Sequence, residues 1–152
     1  MLLRKMIPAA LFVAAIAGSA CNNSAKDNGL QKQADSLFDV VMKGHDVGMP
    51  KMMRIEKMQL KATQTIDSIG KLPAAQQAAL KGYVMQLDTL LLDLSYANTA
   101  MDKWMEEMNF TDTLSDNLPE RIKYLSNEEQ KVKKMNEAIT GSLAKADSLL
   151  KK

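Results

Sequence analysis

The chain has 152 residues, 46% of them hydrophobic and 25% charged, with 20 Lys plus Arg against 18 Asp plus Glu. This is the make-up of one folded domain, and a net charge of +2 without a basic stripe argues against nucleic acid as a partner. Only 5% of the residues are aromatic while 12 are methionine, so the core must be aliphatic and sulfur-rich, which suits packed helices better than sheets.

Residues 1–20 read as a targeting signal. Arg4 and Lys5 form its positive start, Ile7 to Ala17 its apolar stretch, and Gly18-Ser19-Ala20 a run of small residues before Cys21. The apolar stretch is too short, and too broken by Pro8, for a permanent membrane span. The pattern resembles a bacterial lipoprotein signal, although Gly18 stands where the usual box has leucine. It predicts cleavage before Cys21, lipidation of that residue and attachment to a membrane of the cell envelope, the outer membrane first. Without residues 1–20 the charges balance at 18 each, and a lipidated Cys21, the sole cysteine, leaves no thiol for a disulfide.

Residues 21–28 are expected to form a tether from the lipid, with Asn22 to Asp27 polar and irregular. Asn28, with Gln31 three residues on, fits a helix N-cap and its capping-box partner. A first helix over 29–71 follows, with a seam through Ala34, Phe38, Val41, His45, Gly48, Met52, Ile55, Gln59, Ala62, Ile66 and Ile69. Gly44, Gly48 and Pro50 disturb it, but the seam keeps its phase across Pro50, so the helix should kink there rather than break. A second helix over 74–109 carries the seam Leu80, Val84, Leu87, Leu91, Leu94, Asn98, Met101, Met105 and Met108. It is flanked by Tyr83, Leu90, Ala97 and Trp104; being the most apolar helix, it should be fully covered. Phe110 to Leu118 is a longer connection, and Pro119 opens a third helix over 119–151. The third seam runs through Ile122, Leu125, Glu129, Val132, Asn136, Ile139, Leu143, Ala146 and Leu150. The fold predicted for residues 29–152 is all-α, an elongated antiparallel three-helix bundle with coiled-coil-like packing and its first helix kinked at Pro50.

Counting outward from the two turns brings His45, the only histidine, level with Trp104, Met101 or Met105, and Glu128 or Glu129. The candidate polar layer or partner-binding site is therefore His45, Met49, Pro50, Met52, Trp104, Met105 and Glu129. An alternative is a soft-metal site for Cu(I) built from His45, Met49, Met52, Met101 and Met105, since thioether and imidazole suit that ion. Against it, methionine commonly fills irregular helical cores. One histidine, no available thiol and no phosphate-binding loop leave no catalytic residue to name and no cofactor to expect. Asp46 adjoins His45, but neighbours in a helix do not face each other. The reading is of a non-enzymatic protein that binds an envelope partner or serves structurally.

His45-Asp46, Met49-Pro50-Lys51-Met52 with Ile55, Ala100-Met101 with Trp104-Met105 and Phe110, Tyr124-Leu125, and the closing helix from Ala138-Ile139 to Leu150 carry a resemblance. Together they are similar to small Bacteroidetes lipoproteins labelled "viral A-type inclusion protein". This chain departs at Val47-Gly48, where an acidic and then an aliphatic residue would be expected. The resemblance implies a lipid-anchored helical envelope protein with no assigned activity, and the label reflects coiled-coil-like similarity rather than a viral role.

Overall fold

The computed structural model of the protein describes residues 21–110, 114 and 116–151. The predicted signal, residues 1–20, lies outside them. The described chain holds four α-helices and a single 3₁₀ turn: α1 Cys21–Gly48, the turn Met49–Lys51, α2 Met52–Gly70, α3 Ala74–Glu107 and α4 Leu118–Leu150.

The chain does not reverse at Pro50. Gly48 (φ −82°, ψ −48°), Lys51 (−87°, −11°) and Met52 (−62°, −45°) all keep right-handed helical angles. Proline has no N–H to donate and its ring crowds the preceding turn, so three residues tighten to 3₁₀ and the helix resumes. Seam residues Val41, Gly48, Met52 and Ile55 are buried on both sides of the turn, so one continuous face is preserved through the irregularity. The N-terminus departs from expectation. Helix extends back to Cys21, so Asn28 is not a cap and residues 21–28 are not an irregular tether. Asn28, like Gly29, lies inside the helix, and the turn-forming residues there do not interrupt it.

The other ends are closed by named groups. Gln77 Nε2 donates to the carbonyls of Gly70 (2.9 Å) and Leu72 (2.7 Å), clamping the end of α2 to the first turns of α3. Tyr124 Oη accepts the N–H of Asn109 at 2.8 Å where α3 ends. Asn117 Oδ1 accepts the N–H of Glu120 at 3.4 Å, capping α4 beside Pro119. The last carbonyls of α4 receive Lys61 Nζ from α2 (2.5 Å, on Leu150) and Tyr83 Oη from α3 (2.9 Å, on Leu149).

Cross-helix pairs give the topology. Asp35–Arg121 (2.8 Å) and Arg54–Asp147 (2.6 Å) climb together, so α1 and α2 run parallel to α4. Trp104–Glu128 (3.0 Å) and Asp93–Lys145 (2.6 Å) climb in opposite senses, so α3 runs antiparallel to α4. The result is the up-down-up bundle that three matching seams require. α1 packs chiefly on α4, while α2 packs chiefly on α3. The kink at Pro50 is where the first rod passes from one neighbour to the other.

Two seams sit slightly rotated from their predicted positions. In α3 the buried line is Leu87, Leu90, Leu94, Ala97, Met101, Trp104 and Met108, running between the predicted seam and its flanking file. In α4 it is Leu125, Glu128, Val132, Met135, Ile139, Ser142 and Leu143, Ala146 and Leu150, so Glu128 is buried and the predicted Glu129 is exposed. The expected full coverage of α3 is not found. Met85, Leu92 and Tyr96 on its outer side are 60%, 72% and 65% exposed, because two neighbours cover only one side of a helix.

Candidate functional site

Two places bring predicted residues together. The first is the polar layer. His45 lies on Trp104 with ring centroids 5.4 Å apart and planes tilted by 30°, within the range of favourable aromatic pairs. Phe110, from the segment after α3, meets Trp104 edge-on with ring centroids 6.0 Å apart. The indole Nε1–H donates to Glu128 Oε2 at 3.0 Å, and Glu128 Oε1 accepts from Lys131 Nζ at 2.8 Å. Glu128 is only 2% exposed, so its charge is tolerable because both oxygens are engaged. The same carboxylate holds the Lys131 ammonium above its ordinary range. Asp46, contrary to the expectation for adjacent helical residues, reaches His45 Nδ1 at 3.1 Å. Its short side chain folds along the helix surface, which a rule about opposed faces does not cover.

Directly beside this layer α1 crosses α4 at close range. A Cβ added at Gly44 would stand 2.2 Å from Val132 Cγ1, and one at Gly48 would stand 2.8 Å from both Asn136 Oδ1 and Met101 Cε. Asn136 Nδ2 donates to the Gly44 carbonyl at 2.7 Å, a contact possible only because the backbones come so near. Two glycines four residues apart lie one turn above the other on one face, the small-xxx-small arrangement for close helix approach. They read from sequence as a weakness of the first helix. The structure makes them its seat on α4.

The second place is the outer side of the kink. Val47, Met49 and Met53 are 50%, 43% and 81% exposed, and Pro50 between them is exposed as well. Met52, by contrast, points into the core, and Met105 is half-buried. The predicted site thus comes apart: His45 and Trp104 meet in the layer, Met52 is buried in the core and Met105 half-buried, Met49 and Pro50 face outward, and Glu129 is exposed apart from them. The five residues of the soft-metal alternative divide likewise, with Met52 and Met101 in the core, Met105 half-buried, Met49 at the surface and His45 set against Trp104. Among the described residues no three His, Cys, Asp or Glu gather as a metal-binding group.

The chain matches no family model, no curated protein and no solved structure. The reading of its function therefore rests on its own residues. Among the described helices none is long and apolar enough to cross a membrane.

Sequence reasoning weighed Glu128 against Glu129 and settled on Glu129, and it missed both the seating role of the glycine pair and Arg121, whose guanidinium is nearly buried against Asp35. Met135 was the available signal for Glu128. It is apolar, lies seven residues beyond Glu128 and is absent from the predicted seam, so a line through both residues fits the helix equally well. The glycine pair carried its signal in its spacing.

Proposed function

We propose that this is a non-enzymatic, lipid-anchored protein of the cell envelope, held through Cys21, whose helical bundle binds a protein partner at the outer side of the Pro50 kink. The observation that carries the binding site is the exposure of Val47, Met49 and Met53 around Pro50, on a backbone whose inner residues, Gly48 and Met52, are packed. Apolar side chains presented by a locked, irregular turn offer a partner both contact area and a shape that a regular helix lacks. Little ordering entropy is lost on binding, because the turn is already fixed. The anchor rests on the Cys21 signal pattern.

The protein, cross-linked in intact cells and recovered from envelope extracts, is expected to bring down one defined protein. Val47→Lys with Met53→Lys should abolish that recovery while leaving the melting temperature unchanged, since both side chains are exposed. Undiminished recovery by the double variant would remove the site. Cys21→Ala tests the anchor separately, with movement of the protein from the membrane to the soluble fraction as the expected result.

A further inference from the structure

A cavity of about 350 Å³ opens between α3 and α4 beside Trp104. That volume falls in the range of small-molecule sites, roughly 300–1,000 Å³. We propose that it binds a small amphiphilic anion: an acyl or aryl body carrying a single carboxylate, sulfate or phosphate head.

The accessible apolar lining is Tyr96 and Ala100, lying over Trp104 and Met135, each only 3% exposed. Trp104 is held in place for this role. Its Nε1–H is already donated to Glu128, so the little of the ring that borders the cavity carries no free polar edge. The charged part is made by Lys103, Lys131 and Lys134 against one lining carboxylate, Glu107. Lys103 and Lys131 stand 3.7 Å and 3.8 Å from that carboxylate, too far for direct hydrogen bonds, and the short bond of Lys131 goes to Glu128 instead. Lys134 has no hydrogen bond or ion pair among the described residues. The cavity therefore joins an apolar floor to an excess of ammonium groups. An anionic head gains charge-assisted bonds there, while a cation would be repelled. The cavity runs from Tyr96 to Glu107 along α3 but only from Lys131 to Met135 along α4, the footprint of a small molecule rather than of a docked helix. None of these residues belongs to the kink, so this site stands or falls apart from the partner site.

Trp104 is the only tryptophan in the chain, so its emission reports occupancy directly. The intact protein is titrated with decanoate, with decylammonium as the control of opposite charge and phosphatidylglycerol vesicles as a membrane-borne source of the same chemistry. Saturable change is expected with an anionic probe, weakened about tenfold in Lys134→Glu and again in Lys103→Glu, each loss corresponding to one charge-assisted contact. Saturation by decanoate names a free amphiphile as the source, and saturation by the vesicles alone names a lipid headgroup. The proposal is overturned if neither anionic probe saturates, if decylammonium acts equally, or if Lys134→Glu binds as tightly as the parent.

Discussion

At Gly44 a missing methyl group decides how closely two helices meet. Val132 is β-branched and stiff about χ1, so it cannot swing away from an added Cβ. Gly44→Ala should therefore destabilise the protein by about 1–3 kcal/mol, the usual cost of overpacking. Gly82→Ala and Gly141→Ala add a Cβ that meets nothing within 4 Å and should stabilise their helices by about 0.5–1 kcal/mol each. Urea unfolding of the three variants checks both signs in one experiment. A second test falls on Glu128. Glu128→Ala strands the Trp104 N–H and should cost about 1–3 kcal/mol, whereas Glu128→Gln keeps an acceptor oxygen in place and should cost less. Such details were only half legible in the sequence. Leu125, Val132, Ile139 and Ala146 belong equally to a seam through Glu128 and to one through Glu129, and only the packing of α3 chooses between them.

The helices themselves were far more legible, because period is a property of many residues at once. The first seam keeps step through Ile69 despite Pro50, and a loop would have had no cause to preserve that phase. What periodicity could not supply was the start of α1, where Asn28 and Gly29 look like a boundary yet lie inside a helix, or the bare outer side of α3, since apolar content does not say how many neighbours a helix will find. Between elements, partly exposed ion pairs hold the alignment. Arg121 bonds Asp35 and, with Gln31, keeps its carboxyl below the ordinary value of 3.8; Arg54 does the same for Asp147. A carboxylate whose folded pKa is depressed contributes stability above its unfolded pKa and loses that contribution as pH falls toward the folded one. The melting temperature should accordingly decline as pH drops below about 4. In an Asp35→Asn, Asp147→Asn double variant that decline should be shallower, with most of the difference from the parent at neutral pH and little in acid.

Taken whole, the three-rod bundle is about as long as α3. The 34 residues of α3 extend for about 50 Å at 1.5 Å per residue. The first rod is longer than the bundle. Asp35 is level with Arg121 near the start of α4, and of residues 27–33 only Leu30 is even partly covered. Gly29 has no heavy atom near the place of its absent Cβ. A solitary helix of this length is marginal in water, so the stretch ahead of Ala34 should open far more often than the bundle. Brief trypsin treatment is expected to cut after Lys32 first and to leave a fragment that melts at the temperature of the parent. Unfolding together with the bundle, with no early cut at Lys32, would contradict that account.

The overhang also governs how the domain would be carried. Anything fastened at Cys21 would be coupled to the bundle through the first turns of α1, of which residues 27–33 have almost no lateral support, a strut that buckles and straightens on its own timescale. The bundle would then sweep a cone above its point of attachment rather than stand upright, bringing the sides of the rod into reach of neighbours on the same surface as well as its tip.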